Sequence, residues 1–195
     1  MPLIQRFLHR AARLFPYFLL YSFIGWCIEE IYVYAIAGRF IGRGFLNTPL
    51  CPIYGFGALL IILTLSPLKN KPLHFFAGAV TLTTLLELCT GLIMEALLLN
   101  KGWDYSKEAI NFYGIICLKF SLAWGILSIL LIKLLHPCIQ NLEPVVPHTV
   151  KAAAWGLILL MLVTNVVIAL VTGLEAEQLH ILTSKLISRL MPALN

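Results

Sequence analysis

Long apolar runs alternate with short polar segments along the whole chain, and this pattern predicts membrane-spanning helices. Apolar runs of about 18 residues or more are long enough to cross the hydrocarbon core of a bilayer. The predicted spans are residues 16–38, 53–65, 73–99, 112–135 and 150–173. We therefore expect an all-α, polytopic membrane bundle of about five transmembrane helices, forming a single membrane domain over residues 1–195.

The ends of the predicted bundle carry amphipathic segments. Residues 1–15 form a basic lead-in that we expect on the cytoplasmic surface. In the tail, residues 174–195, leucines recur every three or four positions, so this segment should lie flat on the membrane or pack against the bundle. Pro16 suits the first turn of span one, and Gly38 suits its C-terminal cap. Span two is short and follows a Gly/Pro-rich segment, so it could begin as broken or re-entrant backbone.

Basic residues near the span ends predict the orientation. With the N-terminus inside, the cytoplasmic basic residues are Arg6, Arg10, Arg13, Lys69, Lys71, Lys133 and Lys151. The outer ones are Arg39, Arg43, Lys101 and Lys107, together with Lys185 and Arg189 of the tail. The prediction is N-in and C-out. Tyr54-Gly55 and Tyr113-Gly114 also hint at a parallel two-helix repeat, for which chance is an equal explanation.

Composition supports the membrane class and excludes several others. Hydrophobic residues make up 60% of the chain and charged residues 12%, whereas a soluble domain carries about 25% charged residues. The mean hydropathy is +0.91. The net charge of +5 comes from basic residues at the ends of apolar runs, which argues against a nucleic-acid partner. Five irregularly spaced cysteines suggest neither a disulfide framework nor a zinc site, and no metal or cofactor is expected.

Acidic residues within the spans are the strongest candidates for chemistry. A carboxylate there costs several kcal/mol unless it meets a polar partner. Glu87 and Glu95 follow each other at i and i+8 with Gly91 between them, which predicts one helix face with room for a ligand or a neighbouring helix. On span one, Ser22, Trp26 and Glu29 or Glu30 form a similar face, with Glu30 predicted nearer the membrane interface. The alternative is that these acids only pair with hydroxyls or basic groups to fix helix packing.

Two polar segments at the membrane edge are further candidates. Asn47, Cys51 and Tyr54 lie on backbone fixed by Pro and Gly, which could present them to a substrate or could simply be a stiff turn with an interfacial tyrosine. The second segment carries Trp103, Asp104, Tyr105 and Asn111. Its aromatic residues are typical interface anchors, and Asp104 could cap a local turn through Ser106.

No catalytic signature supports an enzyme. The sequence contains no HExxH, no GxSxG and no phosphate loop ending in GK[ST]. A cysteine nucleophile at Cys51 would need a nearby histidine, but His74 and His136 are predicted at the opposite membrane face.

Five motifs in order resemble a known family. They are YSFIGWCIEEIY (21–32), RGFLNTPLCPIYGFG (43–57), LEL…GLIME (86–95), WDYS (103–106) and NFYGIICLKFSLAWG (111–125). Together they resemble the bacterial CmpB-type membrane proteins, the "ABC-transporter type IV" permease family. The resemblance marks Ser22, Gly25, Trp26, Glu29, Gly44, Cys51, Pro52, Tyr54, Gly55, Glu87, Glu95, residues 103–106, Asn111 and Gly114. Asn47-Thr48-Pro49 departs from an expected Gly-Pro, and Ile115 replaces an expected Arg that could have paired with the acids of span three.

The resemblance implies a permease-like transport protein of the bacterial cell (inner) membrane. The acids would line a path for a cation, a proton or an amine, with residues 47–54 and 103–111 at its outer mouth. The expected partners are the lipid bilayer and either further copies of the chain or a separate ATPase subunit. Two alternatives remain open: an assembly or regulatory membrane protein that transports nothing, and an intramembrane enzyme acting on a lipid-linked substrate.

Overall fold

The chain forms a mostly helical bundle with one short hairpin. The computed structural model describes residues 3–39, 48–98, 103–147, 149–154, 156–161, 163–164, 167 and 171. The helices are α1 (Leu3–Ala37), α2 (Pro52–Leu65), α3 (Pro72–Leu98), α4 (Leu118–Leu130) and α5 (His136–Leu142). A 3₁₀ turn, Ser66–Leu68, follows α2, and a π-helical segment, Leu131–Leu135, joins α4 to α5. Strands β1 (Asn111–Phe112) and β2 (Ile116–Cys117) pair antiparallel.

Three helices in the described part of the chain are long and apolar enough to cross a membrane. They are Arg13–Ala37, Pro72–Ala96 and Leu118–Leu142. Two further apolar helices, Pro52–Leu68 and Thr149–Met161, are shorter. The helical class is thereby confirmed, and the three long helices overlap predicted spans one, three and four. The count of five spans, the N-in orientation and the parallel repeat stay predictions.

The first helix corrects the predicted start of span one. Helix α1 begins at Leu3, so the basic lead-in and the span are one helix with Pro16 inside it. Proline within a helix removes one backbone hydrogen bond and crowds the preceding turn, at a cost of about 3 kcal/mol, and the helix of 35 residues nevertheless continues through it. The predicted end is correct. Gly38 adopts a φ of +66° and its N–H donates to the Tyr34 carbonyl at 2.9 Å, which forms a left-handed C-terminal cap.

The fourth helix differs from the prediction at both ends. It begins at Leu118 and not at Phe112, because Tyr113 and Gly114 have φ values of +53° and +66°, which a right-handed helix cannot contain. The helical backbone also does not end at residue 135: α4 leads through the π-helical segment into α5, which contains Pro137 and ends at Leu142. The π-helical segment ends two residues before that proline. Such a bulge shifts the hydrogen-bond register and commonly accompanies helix kinks.

Glycines allow α1 and α2 to pack closely. A Cβ added at Gly25 would lie 2.2 Å from Cγ of Tyr54. One added at Gly55 would lie 2.2 Å from Oγ of Ser22 and 2.6 Å from the Phe18 carbonyl oxygen. Small residues are the usual means by which membrane helices approach each other. This contact therefore sets the distance between the first two helices.

The apolar core lies at the end of the bundle away from the hairpin. Its buried members are Tyr21, Ala58, Ile61, Phe75, Ala79, Leu131 and Ile132. Polar contacts tie α1 to α5 beside this core. The Tyr21 hydroxyl lies 2.7 Å from Nδ1 of His136, and the Tyr17 hydroxyl donates to Glu143 at 2.5 Å.

Two glycines of α2 provide a matched test of the close packing. We expect Gly55→Ala to destabilise the protein by about 1–3 kcal/mol, because the new methyl group overpacks against Ser22 and the Phe18 backbone. In Gly57→Ala the new Cβ would lie 3.5 Å from Leu86, an ordinary contact, so the higher helix propensity of alanine should leave stability unchanged or raise it by up to about 1 kcal/mol. Thermal unfolding in detergent micelles measures both. Equal unfolding midpoints for the two variants would contradict this packing.

Candidate functional site

Helix α1 carries two adjacent acids, of which Glu30 is 6% exposed and Glu29 is half-buried, and a tyrosine of α2 holds Glu29. The Tyr54 hydroxyl donates to Oε1 of Glu29 at 2.6 Å. Tyr54 reaches α1 because α2 begins at Pro52, a residue suited to a first helical turn. The N–H of Cys51, just before this helix, donates to the Ser22 carbonyl at 2.9 Å. The Pro/Gly segment therefore delivers Tyr54 to Glu29, whereas Asn47 lies outside the described residues.

The acid of α3 is held by a tyrosine of the loop before α4. Glu87 is 3% exposed, and its Oε1 accepts a hydrogen bond of 3.0 Å from the Tyr105 hydroxyl. Among the residues that the structure describes, Oε2 of Glu87 has no hydrogen-bond partner. The indole N–H of Trp124 is close enough to act on the Glu87 carboxylate as a second donor, but it does not meet hydrogen-bond geometry at Oε2. Glu87 is thus a deeply buried carboxylate with one oxygen bonded to Tyr105 and the other, also buried, without a well-aligned donor among the described residues.

The loop of residues 103–117 is folded so that Tyr105 points at α3. The indole N–H of Trp103 donates to the Ile115 carbonyl at 2.8 Å, and the backbone N–H of Tyr105 donates to the Gly114 carbonyl at 2.8 Å. Gly114 is needed there, since its φ is +66° and a Cβ would lie 2.7 Å from Oδ1 of Asp104. Trp103, predicted as an interface anchor, therefore also stabilises the fold of the loop through this hydrogen bond.

Two other predicted residues of this loop hold its turns. The backbone N–H and the hydroxyl of Ser106 donate to the Asp104 carboxylate at 2.9 and 3.0 Å, which is the local turn expected from the sequence. The side-chain amide of Asn111 donates to the Glu108 carbonyl at 2.8 Å, and its Oδ1 accepts from the Gly114 N–H at 3.2 Å. Asp104 and Asn111 are both exposed, so they form the rim of the loop.

Aromatic rings surround the two carboxylates. Tyr54 and Trp124 have ring centroids 4.5 Å apart, and Tyr105 stacks on Phe120 at 4.6 Å. The charge of Glu29 acts electrostatically on both Glu87 and Tyr105, so the two acid–tyrosine pairs belong to one group. We call this group the acid–tyrosine cluster; its members are Glu29, Tyr54, Glu87, Tyr105 and Trp124.

Tyr105 remains a hydrogen-bond donor over the physiological pH range. Burial, followed by the negative charge of Glu87, raises the pKa of its hydroxyl far above the ordinary value of about 10. The phenol is therefore protonated and can stabilise a carboxylate without adding a charge of its own.

The cluster lies inside the bundle toward the end that carries the hairpin. At 1.5 Å per residue, Glu29 is roughly 12 Å from the end of α1 and Glu87 roughly 17 Å from the end of α3. Trp124 lies in the second turn of α4. The acids are thus well within the long apolar helices, on the side where the loops before α2 and α4 meet.

The structure separates the two acids that the sequence put on one face of α3. Glu87 is buried, whereas Glu95 is exposed near the helix end. The expected room at Gly91 is occupied, because a Cβ there would lie 2.3 Å from Cγ2 of Ile115. Ile115 is 0% exposed. The residue that replaces an expected Arg therefore supplies apolar packing, and the space predicted between the acids does not exist.

The remaining predicted residues lie around the cluster. Trp26 is half-buried on α1 and its ring packs against Phe23, with centroids 5.8 Å apart. Cys51 is buried at the start of α2. Lys119 lies in the first turn of α4 and pairs with Glu108 at 2.8 Å. Its charge is thereby already matched at the edge of the bundle.

Sequence reasoning missed two aromatic residues, Trp124 and Phe120, whose rings pack against Tyr54 and Tyr105. We call these four rings the aromatic wall of the cluster. A signal for the two missed residues was present in SLAWGILS (121–128), where Ser121, Gly125 and Ser128 follow at helical spacing. These three residues are buried on the face of α4 that packs against α3. An aromatic residue beside such a face is positioned to meet the acid of the neighbouring helix.

Long apolar helices with carboxylates buried between them define a membrane protein. Residues 16–170 match the model of the family described as Putative ABC-transporter type IV. The chain therefore belongs to this family and is a membrane protein of the ABC-transporter type. No curated protein and no solved structure matches the chain.

The Tyr105–Glu87 bond predicts a local effect on the loop. Tyr105→Phe leaves a buried carboxylate oxygen without its donor, which costs about 1–3 kcal/mol. We expect backbone amides of residues 103–117 to exchange with deuterium roughly tenfold faster or more, as measured by mass spectrometry in detergent micelles. Tyr113→Phe is the matched control, because Tyr113 is 73% exposed in the same loop. Equal exchange in the two variants would show that the bond does not hold the loop.

Proposed function

We propose that the chain is a permease-like membrane subunit whose acid–tyrosine cluster binds a small positively charged species on its path across the bilayer. The species would be a cation, a proton or an amine. The observation that carries this proposal is Glu87, a carboxylate 3% exposed whose Oε2 has no hydrogen-bond partner within the described part of the chain. Leaving such an oxygen unmatched is costly unless a positive ligand meets it.

The charges of the cluster support this ligand class. Its two acids act on each other, and no member of the cluster is basic. The two tyrosines donate one hydrogen bond each but carry no positive charge. In a medium of low dielectric constant, two nearby carboxylates repel strongly. A positive ligand removes that repulsion, and protonation of one carboxylate achieves the same result.

The proposed path has an outer mouth and a membrane orientation. We infer a multi-pass protein of the bacterial cell (inner) membrane, N-in and C-out, with residues 47–54 and 103–111 at the outer face. Cys51, Trp103, Asp104 and Asn111 would shape that mouth, and Trp26 and Glu95 would lie beside it. Lys and Arg counts of the flanking segments support this orientation.

Energy coupling would come from a partner. The sequence contains no phosphate loop of the GK[ST] type, so an ATP-driven cycle would need a separate ATPase subunit. Assembly of several copies within the bilayer is equally compatible with the exposed apolar side chains of α1, α3 and α4. The chain itself would not be an enzyme.

Flux measurements on two glutamate variants of α3 test the proposal. Purified protein in proteoliposomes is assayed with and without an imposed cation gradient or pH gradient. We expect Glu87→Gln to reduce flux at least tenfold, because the amide keeps the shape but removes the charge. Glu95→Gln is the matched control on the same helix and should retain most of the flux, because its side chain is exposed.

Size-exclusion chromatography of both variants separates loss of transport from loss of assembly. A Glu87→Gln variant that assembles normally and transports as well as the wild type would overturn the proposal. If Glu87→Gln instead abolished capture of a partner protein while no gradient drove flux in the wild type, a non-transporting assembly role would replace it.

A further inference from the structure

The walls of the acid–tyrosine cluster are aromatic, and this narrows the chemistry of its ligand. We propose that the site takes an organic ammonium ion, a primary amine in its charged form or a methylated ammonium, in preference to a metal ion or a bare proton. This inference rests on the proposed function, since it names the substrate class of the same site.

Too few oxygen atoms converge for a hard metal ion. Divalent cations such as Ca²⁺ and Mg²⁺ take six or more oxygen ligands. The described residues include no group of three or more His, Cys, Asp or Glu side chains placed to hold a metal. Of the four carboxylate oxygens of Glu29 and Glu87, two already accept tyrosine hydroxyls. An ion that must keep many oxygen neighbours would therefore be poorly solvated here.

The rings favour a cation with a diffuse charge. Tyr54 packs against Trp124 with ring centroids 4.5 Å apart, and Tyr105 stacks on Phe120 at 4.6 Å. The same two tyrosines donate hydrogen bonds to Glu29 and Glu87, so the rings lie beside the acids. Aromatic faces attract cations through their quadrupole, with tryptophan the strongest, and they are the usual lining of sites for quaternary ammonium groups. A bare proton would gain nothing from these rings, because a carboxylate and a hydroxyl suffice to carry it.

Glu87 offers the counter-charge at the right place. Its Oε1 accepts from Tyr105, while no described residue donates to the buried Oε2 with hydrogen-bond geometry, although the Trp124 indole acts on the carboxylate as a nearby donor. A ligand N–H, or the methyl groups of a quaternary ammonium, would meet Oε2 and the indole together once the side chains that cover this oxygen move apart, and the Tyr105 bond to Oε1 would remain. The Glu87 carboxylate then supplies the negative charge, and Trp124 makes the site prefer an organic ammonium ion to a metal ion or a proton.

Binding and flux of defined ions test the inference on the full chain. Tetramethylammonium and ethylammonium chloride are titrated into the protein in detergent micelles by calorimetry, against sodium and potassium chloride at equal ionic strength. The same ions, together with a pH gradient, are then used in proteoliposome flux. We expect saturable binding and flux of the organic ions only, both lost in Glu87→Gln.

Variants of Trp124 test whether its aromatic ring, and not only its size, is needed for ligand binding. Trp124→Leu should weaken tetramethylammonium binding about tenfold, whereas Trp124→Phe should retain most of it, because a phenyl ring keeps the cation–π contact. Phe56→Leu is the control, since Phe56 is an exposed aromatic residue of α2 outside the cluster. Size-exclusion profiles confirm that each variant is assembled.

The outcomes distinguish the two proposals. If sodium, potassium or protons move in a Glu87-dependent manner while neither organic ion binds, the organic-ammonium inference is wrong and the proposed function stands. If no ion moves or binds in a Glu87-dependent manner, both are wrong. If the organic ions bind equally well to Trp124→Leu and to the wild type, the aromatic wall does not select the ligand and the inference fails.

Discussion

A carboxylate placed among apolar helices must find its hydrogen-bond donors within the protein, because lipid offers none. Here two of the acids are met by a tyrosine from another part of the chain: Tyr54 donates to Glu29 and Tyr105 donates to Glu87. These two bonds join the start of α2 to α1 and the loop of residues 103–117 to α3. The positions of both loop segments therefore depend on the acids, and the acids depend on the loops for their stability.

The two ends of the bundle differ in polarity, and the candidate site lies at the more polar end. One end is filled by apolar side chains such as Ile61, Phe75 and Leu131, with Tyr21 bonded to His136 beside them. The other end holds the acid–tyrosine cluster beneath the hairpin. Glycine contacts keep α1 and α2 close along this interface. Under the proposed function, a species that reached the cluster from the hairpin side would meet an apolar core beyond it, and this core would have to open for passage.

Sequence patterning was sufficient for the class of fold and for finding the acids within the long apolar helices, but not for the geometry around them. Apolar run length identified the three long helices, and Gly38 marked the end of α1. The pattern could not show that Pro16 lies inside a helix or that residues 111–117 turn back as a hairpin, because both depend on tertiary contacts. Spacing alone also treated Glu87 and Glu95 alike. Tertiary packing separates them: Tyr105 and Trp124 cover Glu87, whereas Glu95 lies beyond the Gly91–Ile115 contact, near the end of α3, and is exposed.

The central claim is that the buried Glu87 carboxylate itself meets a positive ligand. Infrared difference spectroscopy of the protein in lipid, recorded with and without tetramethylammonium, observes that carboxylate directly. The account predicts a shift of a carboxylate stretching band that is absent in Glu87→Gln and retained in Glu95→Gln. A difference spectrum without carboxylate bands, or the same bands in Glu87→Gln, would contradict it.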